Sequence, residues 1–127
     1  MASPIPPSPL PEYVYKITPT APPEPIPEAY PLSDLDRQDG FVHLSAAWQV
    51  PVTGDLFFTS ASSFHLIKLR LASLAPESVK WDEVPGLNGC PHLYANFGAR
   101  DVVSVKEVHR AEGQTWSEAL KAEAWLE

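Results

Sequence analysis

A chain of 127 residues, 44% hydrophobic and 20% charged, is long enough to form one domain around its own core. Its nine basic residues are scattered among sixteen acidic ones for a net charge of −7, so it lacks the concentrated basic face with which nucleic-acid binders displace counterions. The single cysteine precludes an intramolecular disulfide; no basic-then-apolar leader and no long apolar run is present, and a cytosolic protein without a membrane span is expected.

Eleven of the fifteen prolines lie within the first 31 residues. Residues 1–12, MASPIPPSPLPE, cannot donate a regular hydrogen-bond ladder and read as a disordered or polyproline arm ahead of a single domain over residues 13–127. The PxxP-like spacing of the arm suits an SH3-type groove, although the plainer reading is a solubilising tail. YVYKI then alternates, with Tyr13, Tyr15 and Ile17 on one face of a first strand. After an extended proline-rich connection, SDLDRQDG predicts one or two helical turns with Ser33 as N-cap and Gly40 as the stop.

FVHL predicts a short strand, and SAAWQ the start of a helix that Pro51 ends or kinks. FHLIKLRL has a period of two that groups His65, Ile67, Leu69 and Leu71. VKWDEV reads as another short strand and PGLNGCP as a loop; HLYANF and VVSVKEVH are the last strand candidates. The end of the chain reads as helical. Thr115 and Glu118 form a capping-box pattern, and Trp116, Ala119, Leu120 and Leu126 follow at helical spacing. Strands outnumber helices and most connections are too short for parallel crossovers, which points to an α+β domain with a mainly antiparallel sheet.

Chemistry concentrates in two stretches. In GFVHLS, strand alternation puts Phe41, His43 and Ser45 on one face, joining an imidazole that titrates near neutrality to a short hydroxyl. The structural alternative has Ser45 capping the next helix and His43 satisfied in the core. In PHLYANF, His92 and Tyr94 share a face, pairing a hydrogen-bonding ring with one that stacks, and this suits a planar or phosphorylated ligand. VKWDEV adds a carboxylate, Asp82, able to accept a ribose hydroxyl or stabilise positive charge, against the plainer role of a solvated edge charge. Cys90 has no local feature that would depress its pKa, and the four histidines lack the spacing of a metal site, so no metal is expected. P-loop, dinucleotide-binding and hydrolase-elbow patterns are absent.

The order YVYKI, GFVHLSAAWQV, LFF, FHLIKLRL, VKWDEV, PHLYANF resembles the DUF952 family of small uncharacterised proteins, from about Tyr13 to His109, with the tail TWSEALKAEAWL resembling fungal-type members. The resemblance implies a small split, mainly antiparallel sheet with short helices, related to the ADP-ribosyltransferases and RNA 2′-phosphotransferases, which bind NAD in a cleft. It implies that His43 and Ser45 fall on the family's first motif, and His92 and Tyr94 on its second. Asp82 stands where many members carry Glu, Lys16 where several carry His, and Cys90 where Phe is common.

The expectation is therefore a cytosolic enzyme or enzyme-like protein with a nucleotide-type pocket for NAD or an ADP-ribose-like molecule, of transferase type. His43, His92 and Asp82 would be catalytic, and Ser45, Tyr94 and Lys16 would bind the ligand. A non-catalytic binding module, and a lyase, isomerase or cyclase using His43 and His92 as acid and base, are the rival readings.

Overall fold

The structure, a computed structural model, describes residues 6–87 and 89–127; the first five residues of the predicted arm lie outside it. In chain order the described residues form β1 (Tyr13–Thr18), α1 (Asp34–Asp39), β2 (Val42–His43), α2 (Gln49–Phe57), β3 (Ser63–Arg70), β4 (Val79–Asp82), β5 (Cys90–Leu93), β6 (Val102–His109) and α3 (Trp116–Ala119). Two antiparallel three-stranded sheets result, ordered β1-β3-β6 and β2-β5-β4. Among the described residues one isolated bridge joins their backbones: Tyr15 N–H donates to the Ser45 carbonyl at 2.7 Å, and Ser45 N–H returns to the Tyr15 carbonyl at 2.8 Å. The fold is α+β, with antiparallel sheets that part on either side of that bridge.

The apolar pattern explains the layering. β3 is central in its sheet and apolar on both faces. Phe64 and Leu66 join Tyr15, Val50, Val108 and Trp116 on one side, with Tyr13 and Ile17 packed alongside. Ile67 and Leu69 join Val14, Val42, Leu44, Trp81 and Leu93 on the other. A strand covered on both sides carries apolar residues at both alternating sets of positions, as this one does with His65 and Lys68 interspersed. The alternation expected for YVYKI is found, and Leu71 packs on the Ile67–Leu69 side although β3 itself stops at Arg70.

The caps of α1 are those the sequence predicts. Ser33 Oγ accepts from Asp36 N–H at 3.1 Å, and Gly40 closes the helix in the left-handed region at φ 82°. Elsewhere the elements shift. Pro51 neither ends nor kinks a helix: α2 begins at Gln49, so proline falls in the first turn, where its missing N–H has no intrahelical partner to lose, and the helix runs on to Phe57. Ser45 does not cap α2, whose entry is held by Gln49 Oε1 accepting from Ala46 N–H at 2.8 Å. β5 starts at Cys90 inside the predicted loop and stops at Leu93, short of the predicted end. The Thr115–Glu118 capping box forms, but α3 ends after Ala119 and the remaining chain is irregular.

The proline-rich connection is fastened beside β5. Tyr30 stacks on Phe97 at 4.7 Å, Tyr30 N–H donates to the Phe97 carbonyl at 2.9 Å, and Asn96 donates to the Tyr30 carbonyl at 2.8 Å. Gly98 is required there, since a Cβ would stand 1.6 Å from the Glu28 carbonyl oxygen. This seam brings the segment before α1 against the segment after β5, and both border the site described next.

Candidate functional site

Val42, Leu44, Trp81 and Leu93 of the smaller sheet point into the core. Alternation therefore turns His43, Lys80, Asp82 and His92 to its other face. The register aligns His43 with His92 and His92 with Lys80, so three nitrogen-bearing side chains form one row across β2, β5 and β4. The two imidazoles lie edge to face with centroids 5.3 Å apart.

Each imidazole has a carboxylate behind it. Asp36, from α1, is buried between Lys16 of β1 and His43 of β2. One of its oxygens accepts from His43 Nδ1 at 2.6 Å and from His43 backbone N–H at 3.2 Å; the other accepts from Lys16 Nζ at 2.7 Å. Burial alone would raise this carboxyl, but the hydrogen bonds from His43 and Lys16 hold it down at about 2. His43 Nε2 lies 3.0 Å from Asp39 at the surface. Donation to both carboxylates at once requires a proton on each ring nitrogen.

His92 is held differently. Its Nδ1 lies 2.8 Å from Asp82 Oδ2, and the Tyr94 hydroxyl donates to that same oxygen at 2.7 Å. Burial drives the His92 pKa below the ordinary histidine value, against the opposing pull of Asp82. With Nδ1–H directed at Asp82, the lone pair falls on Nε2, which has no hydrogen-bond partner among the described residues. Asp82 is itself held below the usual carboxylate range, because bonds from Tyr94 and His92 outweigh its burial. The hydrogen bond to Asp82, then burial, push the Tyr94 hydroxyl up to about 12.

His43, His92, Asp82 and Tyr94 thus meet on one face. Lys16 and Ser45 stand behind it. Lys16 is buried and directs its ammonium to Asp36 and, at 3.3 Å, to the His43 carbonyl. Ser45 is buried, with its backbone forming the bridge between the sheets. Cys90 is buried and its thiol is pushed up to about 11, by burial first and by Asp82 second, which is the opposite of an activated nucleophile.

Sequence reasoning missed Asp36, Asp39 and Lys80. The signal for Asp36 was present: a capped one-and-a-half-turn helix and a left-handed glycine fold the chain back, so an acid seven residues before His43 returns to it. Beside the row lies a recess of about 240 Å³ bordered by Asp36, Arg37, Phe41 and Tyr94. Arg37 is exposed there, with no carboxylate in ion-pair range among the described residues. Among the described residues no group of three His, Cys, Asp or Glu side chains is placed to hold a metal, and no helix is long and apolar enough to cross a membrane.

Residues 24–105 match the family described as "Protein of unknown function (DUF952)". No curated protein matches. The fold is similar to the X-ray structure of protein CC0527 from Caulobacter crescentus, with a TM-score of 0.68, 25% sequence identity, and coverage of 81% of this chain and 91% of that one. The solution NMR structure of CC0527 is likewise similar, with a TM-score of 0.65, 24% identity, and coverage of 91% and 99%.

Proposed function

The chain belongs to the DUF952 family, and from that premise we propose that it is a cytosolic small-molecule enzyme whose two facing histidines act as an acid–base pair on a nucleotide-type ligand. The carrying observation is the cross-strand pair itself: two imidazoles 5.3 Å apart, each with Nδ1 on a carboxylate. The two rings stand in different surroundings, His92 buried and His43 partly exposed, which suits them to different roles in proton transfer. His92 takes a proton at Nε2 while Asp82 holds the Nδ1–H tautomer. His43, with its Nε2 toward the exposed Asp39 and the solvent, is the partner placed to act as the acid once a ligand displaces that carboxylate.

Asp82 acts through His92 and Tyr94, since the oxygen they share is already committed to both. Lys16 acts through Asp36, and Ser45 through the bridge that joins the sheets. Lys80 and Arg37, exposed on the row and at the recess, suit an anionic group such as a phosphate. NAD or an ADP-ribose-like nucleotide is the leading candidate. Two antiparallel sheets joined by the Tyr15–Ser45 bridge, with the paired histidines on the second, support the expected kinship with the ADP-ribosyltransferase fold and transferase-type chemistry.

The test is a thermal-shift series with NAD, ADP-ribose and AMP on the wild type, His43→Ala and His92→Ala. A ligand at a hundred times its dissociation constant stabilises by roughly 2.7 kcal/mol. A shift in the wild type that both variants lose supports the reading. An equal shift in all three proteins moves the ligand elsewhere and overturns it.

A further inference from the structure

Phe41 covers the base. Its ring stacks on His92 with centroids 4.1 Å apart and planes 22° from parallel, and it also lies 5.1 Å from the Tyr94 ring. Beneath it the His92 side chain is only 6% exposed. Apart from the rings of His43, His92 and Tyr94, Phe41 has little to hold it: it precedes the first paired residue of β2 and belongs to neither core cluster. The recess of about 240 Å³ on its flank lies below the roughly 300–1,000 Å³ of ordinary ligand pockets, and Phe41 is one of its walls. Swinging that ring outward enlarges the recess and uncovers the face of His92 in one motion.

We propose that Phe41 occupies the ring position of the ligand: a planar aromatic ring replaces it on His92, beside Tyr94, while Arg37 takes an anionic group attached to that ring. This rests on the acid–base reading and gives its ligand class as ring-bearing anions. A ring exchanged for a ring keeps the aromatic contacts on His92 and Tyr94, whereas an anion without a ring would leave them bare. Phe41 is then a specificity residue. Its departure is favoured only by a molecule that restores the stack.

The proposal is tested on the full chain with Phe41→Ala and Phe41→Leu. Carbethoxylation by diethyl pyrocarbonate, mapped by mass spectrometry, compares His92 with the exposed His109. His92 should react about tenfold more slowly than His109 in the wild type, and approach it in Phe41→Ala, as expected where the open state is a minor one. Phe41→Leu, which keeps bulk without the ring, should fall between. Equal rates for His92 and His109 in the wild type overturn the cover.

For the ligand class, AMP, adenosine and ribose 5-phosphate are titrated by NMR. Removing the competing ring should tighten AMP about tenfold in Phe41→Ala, leaving ribose 5-phosphate unchanged. AMP affinity equal in the two proteins, or ribose 5-phosphate bound as well as AMP, overturns the exchange while the acid–base reading stands. AMP binding insensitive to His43→Ala and His92→Ala defeats that reading instead, and absence of AMP binding from every protein defeats the ligand class.

Discussion

Lys16 of β1 and Asp36 of α1 meet at 2.7 Å, their side chains only 9% and 2% exposed. The same carboxylate holds the ring and the backbone N–H of His43, so a buried ion pair stands directly behind the acid of the proposed site. Pairing of this kind makes removal of one partner costly, because the other is left as an uncompensated charge.

Lys16→Ala should therefore destabilise the protein by about 3 kcal/mol, in the range found when one member of a buried pair is deleted. Urea melts read this directly. A loss below about 0.5 kcal/mol would show that the pair behaves like a surface contact.

Acid should expose the same carboxylate. Asp36 titrates at about 2 in the fold against an ordinary value of 3.8, so its ionised form stabilises the native state. That contribution, about 2 kcal/mol, is complete above the unfolded value and disappears as pH falls through the folded one. The stability gap between wild type and Asp36→Asn should narrow between about pH 4 and pH 2. A gap that stays constant across that window would contradict this account of Asp36.

Asp82→Asn separates the two groups that share its oxygen. Tyr94 is pushed up to about 12, chiefly by its bond to Asp82, and should return toward the ordinary value of 10.0 in an ultraviolet titration. His92 should also move down, but away from its ordinary value and further below the usual histidine range, because Asp82 is what opposes the effect of burial there. NMR titration of the ring protons reads the second shift. Both groups titrating as in the wild type would mean that the shared oxygen does not hold them in solution.

The two histidines should differ in structural cost. His43 is 30% exposed at its side chain, and truncation leaves Asp36 with Lys16 and the His43 backbone N–H, so His43→Ala should cost about 1 kcal/mol or less. His92 is buried under Phe41, and His92→Ala leaves a partly closed void and Asp82 with Tyr94 as its remaining partner, costing about 2 kcal/mol. Chemical denaturation of the two variants decides this. The reverse ordering would make His43 the structural residue of the pair.

Removal of residues 1–11 should leave the melting temperature unchanged. Among the described residues, the first hydrogen bond or ion pair to the domain comes just after this segment, at Glu12, whose carbonyl accepts from Leu71 N–H at 3.0 Å and whose carboxylate pairs with Arg70 at the surface. A fall of more than about 4 °C, equivalent to roughly 1 kcal/mol in a domain of this size, would show that the arm packs on it.

Local chemistry was legible in the sequence. Ser33 and Gly40 bound α1, Thr115 and Glu118 cap α3, and alternation sorts Tyr15 from Val14 and Ile67 from Leu66, because each effect acts over a few residues and is independent of partners. Where a local signal has two outcomes, context chose between them. Pro51 is compatible with a first turn as well as with a break, and the position of the bridge at Ser45 moved the helix start to Gln49. The helical spacing after Ala119 lost to the docking of Trp125 on Ser104 and of Glu127 on Lys68.

For the site, the sequence alone determined that an imidazole and its neighbours on GFVHLS and PHLY would share a face within each strand. Only the tertiary structure decided that the two faces are one, through the register that sets His43 opposite His92. It also supplied what no spacing encodes: Asp36 reaching His43 from a helix, Lys80 completing the row from β4, and Phe41 lying over His92. The reason is physical. Alternation is a property of one strand, whereas register and helix docking are set by burying Val42, Leu44, Trp81 and Leu93 together, and that core carries the polar row with it.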